Sequence, residues 1–318
     1  MISVPIKFMR TELIVGILCM LLMTCVPVAA RAATVGLILP KDCAFSSDVK
    51  DKFSVHLKEA GIKDSEILMQ RPGSDKVSRL NSMRKFLAFG VDVIVVWGST
   101  SIKEIAGEAG KTPIVFVGVW DPVESGIVNG LKQPGKNITG VVGKTATAFL
   151  LDNIIEATGT KVLGVIYHSG LVDSMGQYGD VKRMAPGKGL ELVEADLQTS
   201  SEEETSAALE PAPFLYLAQG CDVEGGVYEA LAKLNKPAAT QNPGITGGGV
   251  IFTLAPDMDE TIKVASDITG RILQGEKPGD IPVARIKKVN FKINVGEARR
   301  LGVKIPFGVL NRGTEVIR

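Results

Sequence analysis

The chain has 318 residues, with 36 Lys and Arg against 35 Asp and Glu. So even a balance gives no electrostatic reason to expect a nucleic-acid partner, and 5% aromatic residues offer few rings on which single strands would stack. The two histidines, His56 and His168, and the absence of any CxxC argue against a metal centre built from His and Cys.

At the N-terminus, Lys7 and Arg10 precede an apolar run over residues 13–28, and Ala30-Arg31-Ala32 supplies small residues for cleavage before Ala33. Residues 1–32 are therefore expected to be a secretory signal peptide. The run is shorter than the roughly 18 residues of a spanning helix. Leu22-Met23-Thr24 before Cys25 fits a lipid-attachment site poorly. Removal of this segment takes Cys19 and Cys25 with it and leaves Cys43 and Cys221, expected as two separate buried thiols. It also takes Lys7, Arg10, Arg31 and Glu12, which leaves a net charge near −1. The length left, residues 33–318, suits two domains.

After the signal the chain alternates. Residues 34–40 read as a buried parallel strand, 48–60 as a helix stopped by Gly61, 66–70 as a strand, and 76–89 as a helix closed by Gly90. Strand 91–97, helix 101–109 and strand 113–119 continue the rhythm. It breaks at 121–137, where Gly126, Gly130, Pro134 and Gly135 interrupt it before the short strand 138–142. The alternation then restarts: helix 146–157, strand 161–167, helix 174–184, strand 190–195, helix 201–209, strand 213–217, helix 225–234 and strand 237–240. A glycine-rich stretch, 244–249, leads to strand 250–254, helix 257–273, a strand region over 282–295 and a short helix at 297–301.

Repeated βα units imply parallel sheets with helices on both faces. The predicted fold is α/β, with two Rossmann-like doubly wound lobes joined by a multi-strand hinge. Lobe one is assigned residues 33–140 plus about 250–281, and lobe two 141–249 plus about 282–318. Ligands of such folds bind outside the carboxyl ends of the strands. That rule selects the loops 41–46, 98–101, 120–122, 168–174, 219–222 and 241–242.

Catalytic motifs fail on inspection. Gly130 to Lys136 imitates a phosphate loop, but Asn137 stands where Ser or Thr should hold magnesium, and Pro134 removes a backbone donor. Gly143-Lys144-Thr145 has the right ending but Ile138 at the first glycine position. No GxGxxG follows the first strand and no GxSxG is present. His168 has no nucleophile to pair with, so a ligand-facing or structural role is favoured over that of a general base. The chain is read as a non-enzyme without metal or cofactor.

One block carries a family resemblance. Thr112-Pro113-Ile114-Val115-Phe116, Asp121-Pro122-Val123, Gly126-Ile127-Val128 and Pro134-Gly135-Lys136-Asn137-Ile138-Thr139-Gly140 follow one another in order. Together they resemble the signature of the ABC transporter substrate-binding protein family of type I periplasmic-binding fold. Val91 to Val96, Arg271-Ile272-Leu273-Gln274-Gly275, Leu301 to Pro306 and Glu315-Val316-Ile317 agree with it.

The resemblance implies a periplasmic receptor that passes a small molecule to an ABC permease in the inner membrane, working as a monomer. The ligand it implies is an amino acid, aromatic in similar members, or a related metabolite. A periplasmic ligand-sensing module for a signalling partner is the alternative. By the resemblance, Ser99, Thr100 and Asp121 hold ligand in lobe one, and Tyr167 and Asp222 do so in lobe two. His168-Ser169 stands where the family has Asn and its successor. The cleft loops add Asp42, Trp120, His168, Ser169, Gln219 and Gln241 as candidate ligand-binding residues. Trp97 or Trp120 is expected to pack an apolar or ring face, with core packing favoured for Trp97.

Overall fold

The computed structural model describes residues 32–41, 48–220, 231 and 233–318. The predicted signal segment, Asp42, Cys43, Cys221, Asp222 and most of the helix expected at 225–234 lie outside the described residues.

Aliphatic runs make two sheets. In the first, β1 (Ala33–Ile38), β2 (Ser65–Gln70), β3 (Val93–Trp97), β4 (Ile114–Val119), β5 (Ile138–Val142) and β11 (Ala284–Arg285) lie in the order β11-β5-β4-β3-β1-β2, all parallel. β3, Val-Ile-Val-Val-Trp, is buried at every position, as expected of a central strand covered on both faces. The covering helices include α1 (Val49–Glu59), α2 (Lys76–Phe89) and α3 (Ser99–Ile105). Asp75 caps α2 by accepting from Ser78 N–H, and Gly90 ends it with a left-handed φ of 75°.

The second sheet has the order β13-β12-β10-β9-β8-β6-β7. Its strands are β6 (Val162–Tyr167), β7 (Glu191–Asp196), β8 (Phe214–Leu217), β9 (Ala238–Thr240), β10 (Val250–Pro256), β12 (Val289–Asn294) and β13 (Glu315–Ile317). Only β10 and β12 pair antiparallel. Helices α4 (Thr147–Thr158), α5 (Val172–Met184) and α6 (Glu202–Leu209) alternate with the strands, and Ser201 and Glu204 form a full capping box on α6.

The chain crosses between the sheets three times: after β5, between β10 and α7 (Met258–Leu273), and at residues 286–288. Two crossings fall later than the sequence rhythm indicates. β10 had been assigned to lobe one, but it lies in the second sheet beside β9. The glycine-rich stretch before it is a tight connection, not a crossing. Gly244 N–H donates to Asn242 Oδ1, and Ile245 is buried in the cluster that holds Leu215, Leu217 and Val250 of this sheet. The return comes with α7, whose Ile262, Ala265, Ile268 and Ile272 form one buried stripe against Val49, Phe53 and Leu57 of α1. Likewise β11 still pairs with β5 in the first sheet. Asp257 ties the two later crossings together: its backbone N–H donates to Lys288 C=O, and its carboxylate meets Lys288 Nζ at 2.8 Å.

The distinctive Asn137-Ile138-Thr139-Gly140 stretch has a packing reason. A Cβ on Gly140 would stand 2.1 Å from the carbonyl oxygen of Phe116 on the neighbouring strand. Gly140→Ala should therefore destabilise the protein by about 1–3 kcal/mol, as overpacking does. Denaturant titration checks this, and an unchanged midpoint would refute the close approach.

Candidate functional site

In both sheets the strand order reverses beside the first strand of the unit, between β1 and β3 and between β6 and β8. The carboxyl ends at those two switch points face each other. Residues Ala33–Arg318 form one compact unit, and hydrogen bonds from α5 join the two sheets' ends.

The closing element is α5. Asp173, Gln177 and Asp180 fall at spacings of four and three, on one face of the helix, and all three are buried. Across the cleft, Gly98 has a φ of 88°, which turns the chain sharply out of β3 so that Ser99 opens α3. Asp173 reaches over to it. Its Oδ2 accepts from Ser99 N–H at 3.1 Å, and its Oδ1 accepts from Trp120 N–H at 3.0 Å and from the Ser99 hydroxyl. One turn on, a Cβ on Gly176 would lie 2.6 Å from the Trp120 ring, so only glycine lets the indole rest on the helix. Trp120 Nε1–H then donates to Asp180 Oδ2 at 3.1 Å. Asp180 also binds Lys144 Nζ at 2.7 Å and the Arg183 guanidinium.

Behind this seam lies a cavity of about 50 Å³, enough for a few waters in the closed arrangement. Trp97, Gly118 and Trp120 line it from lobe one, with Gly143, Pro256, Met258 and Thr261 at the hinge. Lobe two contributes Asp173, Gln177, Gln219, Gly220, Gln241, Asn242 and Pro243. Most of these polar groups are occupied. Gln177 Oε1 accepts from Gln219 N–H, and its Nε2 donates to Gln219 C=O. Gln241 accepts from Tyr216 Oη–H and Thr147 Oγ1–H and donates to Thr145 Oγ1. Asn242 Nδ2 donates to Gly220 C=O. The exception is the Gln219 carboxamide, buried with neither its oxygen nor its nitrogen hydrogen-bonded.

Trp120, Gln219 and Gln241 thus line the cavity as the cleft loops indicate, and Ser99 touches it through Asp173. Thr100 accepts from Val172 N–H at 3.2 Å and lies with Asp121 and Ser169 along an outer groove at the mouth. The Asp121 carboxylate accepts from Val123 and Glu124 N–H and so shapes its own turn. Tyr167 stacks on Tyr178 with centroids 4.0 Å apart, outside the cavity lining. His168 N–H donates to Ser174 Oγ, and its Nδ1 accepts from Gly170 N–H. Asp173 and Asn242 fall within the cleft loops 168–174 and 241–242 without standing among the candidate residues, and Gln177 falls outside those loops. The polar stripe 173–177–180 on an otherwise ordinary amphipathic helix was the available signal.

Burial pushes the Asp173 carboxyl above its usual value, against the pull of the Ser99 and Trp120 donors. A raised acid contributes stability that is full below its unfolded value and is lost as pH climbs toward the folded one. Asp173→Asn lacks this titration. Its stability deficit relative to wild type should therefore narrow as pH rises from 3.8, the unshifted value. Thermal unfolding at stepped pH measures the gap, and a gap that widens with pH would contradict the raised carboxyl. Gln219→Leu removes an unpaired buried amide and should stabilise the ligand-free protein by about 1–3 kcal/mol. A lowered unfolding midpoint would mean that the amide has a partner in solution.

Comparison with known proteins agrees with this geometry. The sequence model for "ABC transporter substrate binding protein" matches residues 47–317. A tyrosine-binding protein from Clostridioides difficile (strain R20291) is 26% identical over 268 residues, 80% of this chain and 76% of that protein. Among solved structures, a conserved domain protein from Vibrio cholerae superposes with a TM-score of 0.79 at 26% identity, over 90% of this chain and 100% of that one. The ABC domain in complex with L-Trp from Streptococcus pneumoniae gives 0.79 at 22%, with the same coverage. A leucine-binding protein from Thermotoga maritima gives 0.54 at 16%, over 70% of this chain and 69% of that one, and shares the fold.

Proposed function

Because this chain belongs to the ABC transporter substrate binding protein family, with the fold of type I periplasmic-binding proteins, we propose that it is a periplasmic receptor that captures an amino acid or a related metabolite between its lobes and presents the closed form to an ABC permease. The cavity between the carboxyl ends of the two sheets carries this reading. It is lined by both tryptophans of the chain and by a carboxamide with no hydrogen-bond partner. Apolar faces with a few convergent polar groups are the usual makeup of a small-molecule site.

The ligand class is suggested by a relative described as tyrosine-binding and accords with a fold neighbour solved with L-Trp. Ser99, Trp120, Gln219 and Gln241 are the ligand-proximal residues in this reading, joined by Trp97 and Asp173. Thr100, Asp121 and Ser169 border the entrance. Closure is the signal: a ligand that contacts both lobes favours the closed state by its differential affinity, and the permease reads that state.

Both tryptophans line the cavity, so intrinsic fluorescence reports binding directly. Titration with an amino-acid and metabolite panel should give a saturable change, together with a rise in melting temperature. Gly176→Val, whose side chain would strike Trp120, should weaken that binding at least tenfold while circular dichroism stays unchanged. If no compound in the panel shifts either signal, the cleft is not a ligand site.

A further inference from the structure

The charges around the cavity are lopsided. Asp173 is the one ionisable side chain that lines it, and no Lys, Arg or His stands with it among the described lining residues. All three hydrogen-bond donors to Asp173 are neutral: two backbone N–H groups and a hydroxyl. Asp180, seven residues along the same helix, has Lys144 and Arg183. Buried carboxylates are ordinarily paired with a cation, and Asp173 has no such partner among the described residues.

Its surroundings would accept one. The carboxylate has about four lone-pair positions, and three are used. Gly220 packs so closely that a Cβ there would lie 2.7 Å from Asp173 Cβ, which brings the adjoining Gln219 to the same wall. The Gln219 side-chain oxygen, Oε1, is buried and accepts nothing. Trp97 and Trp120 add indole rings to the lining, and indole is the strongest side-chain partner for a cation, as Lys144 Nζ, 5.8 Å from the Trp120 ring centroid, illustrates. The groups that would suit a ligand carboxylate, Ser99 N–H and Oγ–H and Trp120 N–H, are already filled by the protein's own carboxylate.

Resting on the cleft reading above, we propose that the ligand is an organic amine whose ammonium pairs with Asp173 and donates to Gln219, and that a free carboxylate on the ligand adds nothing to its recognition. A ligand carboxylate would have to displace Asp173 from its donors or bring a second negative charge beside it. Within the class of amino acids and related metabolites, this selects decarboxylated amines.

Calorimetric titration with matched sets tests the assignment. Each set is an amino acid, the amine it gives on decarboxylation, and the acid it gives on loss of nitrogen, for tyrosine, tryptophan, phenylalanine and leucine. The amine of at least one set should bind ten or more times tighter than its amino acid, and the acid should not bind. Asp173→Asn should weaken the amine at least tenfold. Gln219→Leu, which leaves the Asp173 contacts in place, should weaken it by a smaller factor and guards against a folding defect in the first variant. An amino acid that outbinds its amine in every responding set overturns the proposal, as does an amine whose affinity Asp173→Asn leaves unchanged. If only non-amine compounds from the wider panel quench the tryptophans, the amine assignment fails and the cleft stands. If nothing binds, both fall.

Discussion

The closed arrangement depends on one carboxylate crossing from one lobe to the other. Asp173 sits on Ser99 and Trp120, and nearly every local feature of the cleft serves that placement. Gly98 turns the chain so that Ser99 faces across, Gly176 makes room for Trp120, and the α5 stripe sets Gln177 behind the contact to hold Gln219 by its backbone. Hydrogen bonds to a charged group are worth about 1.5–3 kcal/mol each, whereas removing a carboxylate from water costs several kcal/mol. These terms are of similar size and opposite sign. A contact so balanced closes the lobes without locking them, and that leaves a ligand's differential affinity able to decide the state.

The hinge complements this balance. Three separate crossings join the lobes, and Asp257 pins two of them to each other through Lys288 and Asn290. Burial alone would raise the Asp257 carboxyl, but Lys288, Glu260 N–H and Asn290 together hold it below its ordinary value. This acid is paired as Asp173 is not. Position at the hinge therefore goes with full compensation, and position at the cavity goes with incomplete compensation.

The fold was largely legible because periodicity is a property of single elements. Runs such as Val93–Trp97 and stops such as Gly90 announce strand and helix without reference to anything distant. The return between lobes was misplaced because it depends on what Ile245 packs against, and no local pattern distinguishes a plug residue from a linker residue. The cleft loops followed from strand order alone, which is why Ser99, Trp120, Gln219 and Gln241 were within reach. Tyr167 ends β6 at the switch point, and its ring stacks on Tyr178 outside the cavity lining. Asp173 falls within the cleft loop 168–174, but nothing in the local sequence separates it from its loop neighbours, because its partners Ser99 and Trp120 lie in the other lobe. Only the opposing lobe, brought close by three crossings, sets it apart.

Two acids on α5 illustrate how partner chemistry separates roles that sequence leaves equal. Asp173 and Asp180 lie on the same face of the same helix, and both are almost completely shielded from water. Asp180 meets Lys144, Arg183 and the Trp120 indole N–H, so its charge is neutralised within the protein and its contacts survive with or without a guest. It acts as a fixed anchor at the rim. Among the described residues Asp173 meets only dipoles, which orient a negative charge without cancelling it. Its electrostatic energy is therefore still open to improvement by anything cationic that enters the cavity, whereas that of Asp180 is not. A binding protein that closes on its ligand, as proposed for this chain, needs both kinds of contact. One gives the lobes a preferred register, and the other makes closure more favourable when the cavity is filled.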